Sequence, residues 1–312
     1  MKIAFVSEMG FYGKLPKDFK DFRTVESWVY GFNAFNIPFN MLDKTDLTNF
    51  DLFIVIIPKN NVSICKELLN VLPMNKTSVL QEGPCYYFQD SPAMDELKYA
   101  KLLNDCKFIL CHNESDCSYF RQFNKNCTRI PTCTDTKIEI KKEDKKPLAF
   151  SFGTFSKWYN GQTSYRILKE IGYEVWMSMM GRWKRDEGIQ TKSKGIQVLG
   201  YLCWADFIKA IKNVSVACHM MPTKAASSYV LVCALLDVPC ICSPSDMSKD
   251  LFPYTTTNDA YDYEMGAIYA KKLVNDKEFY AKVVNHAKIN LAKYDYRVVC
   301  PIMIKKFKRL LK

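Results

Sequence analysis

The first feature of the sequence with chemical promise is a carboxylate set just past a short apolar run. In SVLQEGPCYYFQDSP (78–92), Gln81 and Glu82 close a strand-like stretch and Gly83-Pro84 turns the chain away. An acid at the tip of a strand, partly withdrawn from water, has its pKa raised toward the range of a general base. The plain alternative for Glu82 is an exposed loop acid, with Asp90 and Glu8 as reserve candidates for the same role. Two further places suit a phosphate. In FSFGTFSKWYNGQ (150–162) a strand ends at Gly153 and is followed by Thr154, Ser156 and Lys157. Backbone amides near a glycine, a hydroxyl and a lysine make a diphosphate cradle, although a strand-to-helix turn with a surface lysine has the same outline. In TKAASSYVLVCALL (223–236), Ser227 and Ser228 are natural N-caps, and the amides of the helix that follows would favour an anion; ordinary capping explains the serines equally well.

Between these lie GRWKRDEG (181–188) and LGYLCWADF (199–207), each directly after a strand end, where ligands of doubly wound sheets collect. Arg182, Tyr201 and the backbone of Leu202 are candidates around a nucleotide. Trp183 or Tyr201 would face its base, with packing as the competing role for both aromatics. The opening MKIAFVSEMGFYGKLPKDFKDFR runs from a strand into Gly10 and Gly13, spaced G-x-x-G. The dinucleotide fingerprint needs G-x-G-x-x-G and an acid further on, so it is incomplete here. Lys14, Lys17, Lys20 and Arg23 add a basic border to this loop. His112, His219 and His286 are far apart and no G-x-S-x-G occurs, which removes support for hydrolase chemistry.

These residues need a scaffold that gathers strand ends. The first half alternates strand-like runs at 2–7, 51–57, 78–82 and 106–112 with helical stretches at 24–35, 63–72 and 93–103, and a further helix starts near Asn113. Thr24 is a plausible cap for the first helix. Short apolar runs separated by helical periods indicate parallel sheets covered on both faces. The charged segment KIEIKKEDKKP (137–147) has no apolar face and is the best linker candidate. After it the pattern restarts, with strands at 147–153, 173–181, 196–201, 214–220 and 239–243 and helices at 163–171, 204–211, 227–236 and 261–274. The fold class is therefore α/β, with two doubly wound Rossmann-like domains facing across a cleft. Their bounds are 1–140 and 147–290, and a basic C-terminal helix, 291–312, packs back on the body. The helical pattern from Phe279 onward breaks near Asp295 and Pro301.

Composition narrows the class. The 312 residues are 48% hydrophobic and 25% charged, so a well-formed core is expected. No apolar run reaches membrane-spanning length, and the short apolar start is not a secretory signal; the expectation is a cytoplasmic monomer that does not use a membrane. Thirteen cysteines in odd number, with no C-x-x-C, read as reduced thiols, and no metal site is expected. Lys and Arg exceed Asp and Glu by 44 − 33 = 11, which fits either solubility or a polyanionic partner.

Taken in order along nearly the whole chain, the glycine loop after the first strand, the G-T-x-x-K turn opening the second domain and the terminal basic helix resemble the GT-B glycosyltransferases. SVLQEGPCYYFQD is similar to the segment that carries the catalytic acid in phage DNA glycosyltransferases of the T-even β-glucosyltransferase type, and Glu82 falls at that place. FSFGTFSKW resembles their turn over the nucleotide diphosphate, and GFYGKLP…FRTVESW resembles the start of phage enzymes that decorate hydroxymethylated pyrimidines. The resemblance implies a UDP-sugar donor held by Gly153, Thr154, Lys157, Ser227 and Ser228, and an acceptor loop at Gly10 and Gly13. It implies modified duplex DNA as acceptor, touched by Lys14, Lys17, Lys20 and Arg23, in the host cytoplasm if the chain is phage-encoded. No cofactor is required; a divalent ion is compatible but not implied. One departure stands out. The family places a ribose-gripping glutamate in the helix that begins here at Ser227, and SSYVLVCALLDVP has valine or cysteine instead. Three readings remain open: ribose is held by Ser227, Ser228 or Thr223, the donor site differs, or the nucleotide site has decayed.

Overall fold

Ile3 to Ser7 are buried on both sides of the strand they form, the mark of a parallel sheet covered on two faces. The computed structural model describes residues 1–8, 11–19, 22–57, 59–83, 91–141, 143–153, 159–178, 196–199, 202–224 and 228–312. They divide into two units, Met1–Thr134 with Tyr296–Lys312, and Asp135–Asp295.

Unit 1 is built on a six-stranded parallel sheet. Its strands are β1 (Ile3–Ser7), β2 (Phe35–Pro38), β3 (Leu52–Ile57), β4 (Thr77–Gln81), β5 (Phe108–Cys111) and β6 (Cys127–Arg129), in the order β2-β1-β3-β4-β5-β6. Side chains alternate between two cores. Ala4, Val6, Phe53, Val55 and Ile57 face the helices α2 (Cys65–Val71), α3 (Ala93–Asp105) and α4 (Glu114–Phe120). Ile3, Phe5, Leu52, Ile54 and Ile56 face α1 (Thr24–Gly31) and the chain's far helix α11 (Tyr296–Leu310), whose Val299, Met303 and Phe307 recur at four-residue spacing. A Cβ on Gly31 would lie 2.6 Å from Cys300 Sγ and 2.9 Å from Tyr296 Cβ, so glycine lets α1 and α11 pack closely. Pro301 lies inside α11 and does not break it, although the sequence suggests a break; the interruption is the 3₁₀ turn Ala292–Tyr294. Thr24 is not a cap. The cap position is Arg23, with no side-chain cap bond, and Thr24 is the first helical residue.

Unit 2 carries a five-stranded parallel sheet of β7 (Lys146–Ser151), β8 (Glu174–Ser178), β9 (Ile196–Leu199), β10 (Val214–His219) and β11 (Cys240–Cys242), ordered β11-β10-β7-β8-β9. Counted within the unit, this is 3-2-1-4-5, the Rossmann order, and its reversal lies between β7 and β10. Its helices are α5 (Gly161–Lys169), α6 (Trp204–Ile211), α7 (Ser228–Leu235), α8 (Asp246–Leu251), α9 (Tyr263–Asn275) and α10 (Lys277–Leu291). Asp262 and Asp276 cap α9 and α10 by accepting the Met265 and Phe279 amides at 3.1 and 2.9 Å. The charged segment before β7 is tied down: Lys145 Nζ donates to the carbonyls of Lys212 and Leu236, and Glu143 pairs with Lys212 at 2.6 Å. Among the described residues, no helix is long and apolar enough to cross a membrane. The described cysteines are free thiols.

Candidate functional site

In unit 1 the strand order reverses at β1, so the crevice beyond its carboxyl end and that of β3 is where a doubly wound sheet receives ligands. The loop leaving β1 is stitched in place by one side chain that the sequence did not reveal. Asn36, fully buried on β2, exchanges backbone bonds with Gly13 (3.0 and 2.8 Å). Its side chain accepts from Ser7 Oγ at 3.0 Å and donates to the Phe11 carbonyl at 2.6 Å. Gly13 has φ +116° with nothing near its missing Cβ, so backbone conformation and not space demands glycine there. Lys14 and Lys17 are exposed beyond it; Lys14 Nζ donates to Asn33 at 3.2 Å, and the Lys17 carbonyl accepts from the Tyr30 hydroxyl at 2.8 Å. Arg23 is half-buried at the start of α1. Gly10 and Lys20 lie outside the described residues.

Glu82 stands at the carboxyl end of β4, half-buried. Its amide extends the β3–β4 ladder by donating to the Ile57 carbonyl at 3.2 Å, and its carbonyl accepts from Gln81 Nε2 at 3.3 Å. Gln81 is itself held by the buried Tyr99 hydroxyl, which donates to Gln81 Oε1. Gly83 then turns the chain at φ +92°. Glu82 thus has a fixed backbone and a side chain within reach of solvent, as a proton acceptor requires. Asp90 lies outside the described residues.

In unit 2 Gly153 follows β7 with φ +85°, and a Cβ there would meet Tyr159 Cβ at 2.4 Å, so both conformation and space require glycine. Tyr159 precedes Asn160, a left-handed residue (φ +50°). Asn160 Nδ2 donates to the Met220 and Ala260 carbonyls at 3.1 and 2.6 Å, clamping the start of α5 to the end of β10. Ser228 is the first residue of α7, and its neighbour Tyr229 lays its ring 4.5 Å from that of Phe152. That contact joins the Gly153 turn to the α7 N-terminus. Leu202 is half-buried between β9 and α6 at the same edge of the sheet. Thr154, Lys157, Arg182, Tyr201 and Ser227, named from the sequence, lie outside the described residues.

Three residues of this edge were not singled out as a group by sequence. Ser151 Oγ, His219 Nδ1 and Thr223 Oγ1 are buried and have no hydrogen-bond partner among the described residues. They sit at the carboxyl end of β7, the carboxyl end of β10 and the loop beyond it, on either side of the order reversal. Buried polar atoms without partners are costly, and a polar ligand is one way to satisfy them. The sequence offered Thr223 as a ribose candidate and a histidine next to the end of VSVACHM, but burial is not written in either. The positions where the GT-B resemblance puts an acid are core: Val230, Val232 and Cys233 of α7 are all buried.

Burial also holds the His219 imidazole down at about 4, from an ordinary 6.5. Between those values the unfolded chain binds a proton that the folded chain does not. Stability from this group is therefore complete above pH 6.5 and is lost as pH falls toward 4, by about 1.4 kcal/mol per pH unit. Burial holds His112 down to about 4 as well, so urea denaturation from pH 7 to pH 5 is expected to show both contributions. His219→Phe, which keeps a ring against Phe152 and Tyr229 and does not titrate, is expected to remove about half of the slope.

No family model matches the sequence, and no curated protein matches it. Solved structures do match over the full length. Anabaena Alr3699/HepE in complex with UDP-glucose superposes with a TM-score of 0.72 at 11% identity, covering 99% of this chain and 100% of that one. An α-glucosyltransferase in complex with UDP and a 13-mer DNA containing an HMU base gives 0.63 at 12% identity, covering 100% and 99%. The trehalose-6-phosphate synthase OtsA gives 0.66 at 10% identity, covering 86% and 74%. These likenesses show the fold: the chain has the two-domain GT-B architecture.

Proposed function

We propose that the protein is a glycosyltransferase that moves a sugar from a UDP-sugar to a hydroxymethyl pyrimidine in DNA. The observation that carries the donor half is the β7/β10 reversal, where an obligate glycine stands beside three buried polar atoms without partners among the described residues. Amides near Gly153 and at the Ser228 end of α7 stabilise charge on the diphosphate, with Thr154, Lys157, Arg182 and Ser227 assigned beside them. Tyr201 and Leu202 take the base. The apolar interior of α7 leaves ribose to Thr223 or Ser228, and Thr223 is the stronger choice because its buried hydroxyl lacks a partner among the described residues.

Glu82 is the acceptor-side base. It takes the proton of the hydroxymethyl group as that oxygen bonds to the anomeric carbon. The bond from that carbon to UDP breaks, and its electron pair leaves on the diphosphate. One carboxylate acting opposite the leaving group gives in-line displacement with inversion. No cofactor enters this scheme. Lys14, Lys17, Lys20 and Arg23, in a chain with a net charge of +11, position the phosphate backbone without reading sequence. The target base is flipped out of the stack to reach the carboxylate.

The test combines the purified chain with UDP-glucose and DNA carrying or lacking hydroxymethyl pyrimidines, and reads nucleoside masses after digestion. A hexose increment on the modified base alone is the expected result. Calorimetric binding of UDP with no increment on any DNA would move the acceptor to a glycan. Absence of UDP binding would remove the donor assignment itself.

A further inference from the structure

On the strands beside β4, where Leu80 pairs with Leu110 and Cys111 falls level with Gln81, three thiols meet at the edge of the unit 1 sheet. Cys111 is the last residue of β5, Cys117 lies one turn inside α4, and Cys127 is the first residue of β6. All three are buried, and their sulfurs lie within 4.8 Å of one another, with Cys111 and Cys127 Sγ 3.8 Å apart. Among the described residues this is the one place where three such ligand groups gather so closely. The positions are fixed by backbone. The Ile109 amide donates to the Asn126 carbonyl at 2.9 Å and the Ile130 amide to the Cys111 carbonyl at 2.8 Å, so the β5–β6 ladder sets two of the sulfurs and α4 delivers the third.

We infer that Cys111, Cys117 and Cys127 form a binding site for a thiophilic divalent ion of the zinc class. With metal–sulfur bonds of about 2.3 Å, the sulfurs of a tetrahedral centre are about 3.8 Å apart, the separation Cys111 and Cys127 already have. Cys117 needs to close by at most about 1 Å, within the reach of a small side-chain rotation. Binding displaces one proton from each thiol to solvent, and three thiolates around a divalent cation leave a single negative charge. Arg121, the cap residue just past α4 and paired with Glu114, brings positive charge to that side. The three protein ligands leave one position for water or a solute. β6 is an edge strand of only three residues, so the ion would staple the sheet edge to α4. The spacing of the three, 117 − 111 = 6 and 127 − 117 = 10, escapes the finger-like templates by which zinc sites are read from sequence.

The test uses the full chain, reduced and stripped with a chelator, and titrated anaerobically with Cd(II) while the thiolate-to-metal charge-transfer absorption is followed. Zn(II) affinity is then read by competition with a chromophoric chelator. The expected result is saturation at one ion per chain with release of close to three protons, retained in Cys203→Ser, which removes the exposed thiol, and lost in Cys117→Ser and Cys127→Ser. Saturation lost in Cys203→Ser and kept in the other two overturns the proposal, as does the absence of any stoichiometric step. A readout independent of variant folding is the thermal midpoint of the unaltered chain. Zn(II) is expected to raise it by several degrees and chelator to reverse the rise, and an unmoved midpoint counts against the site.

Discussion

Glu82→Gln is expected to lower the rate of sugar transfer by about 10²- to 10⁴-fold, the usual contribution of a positioned general base. The substitution preserves volume and both backbone hydrogen bonds of the residue, the amide to Ile57 and the carbonyl from Gln81. It removes the negative charge and with it the ability to accept a proton. UDP-glucose affinity by calorimetry should be unchanged, because the donor is assigned to unit 2. The fall belongs in kcat, since the interaction is made as the acceptor oxygen attacks. Tyr99→Phe provides the graded comparison: it removes the hydroxyl that holds Gln81 Oε1 and should cost part of the rate without abolishing it. A Glu82→Gln protein that folds and transfers sugar at the original rate would sink the assignment.

Trp28→Ala carries the largest expected loss of stability. The indole is 1% exposed, lies parallel to Phe5 at 6.3 Å and to His112 at 5.5 Å, and donates from Nε1 to the Pro131 carbonyl at 3.0 Å. Emptying such a site costs about 3–5 kcal/mol, a large part of the ~5–15 kcal/mol by which domains are stable. Trp28→Phe separates the two contributions, because it keeps much of the packing and gives up the hydrogen bond. Its cost should be clearly smaller than that of alanine in urea denaturation followed by circular dichroism. Equal costs for the two variants would mean that the carbonyl bond, not the filled volume, is what Trp28 provides.

The sequence made the sheets legible because both faces of each are covered. LFIVII cannot alternate apolar with polar when Leu52 and Ile54 face one core and Phe53 and Val55 the other, and such continuous runs stand out. What escaped were the two edges of the unit 1 sheet. β2 ends in Pro38 and β6 has three residues, and neither has the length or the apolar run that signals a strand. α8 was also missed, being six residues long and capped by Ser245 with Ser248 in a box that resembles a loop. For the site, the strand-end positions of Glu82 and Gly153 could be read from sequence, since each follows an apolar run and borders a turn. The isolation of Ser151, His219 and Thr223 from partners could not, because it depends on which segments fold over them. The same holds for Asn36, whose four bonds to the opening loop follow from its pairing with a residue twenty-three positions earlier (36 − 13 = 23).

Unit 1 is not continuous along the chain, and this bears on its synthesis. Residues 1–134 leave the ribosome before unit 2, yet the face of their sheet bearing Ile54, Phe108 and Leu110 is covered in part by Val299, Met303 and Phe307, which are translated only after all of unit 2. The uninterrupted stretch Asp135–Asp295 can close while its predecessor still waits for a helix. The portion made before unit 2 is therefore sealed after it, and in that interval its uncovered aromatic flank is what chaperones and proteases would meet.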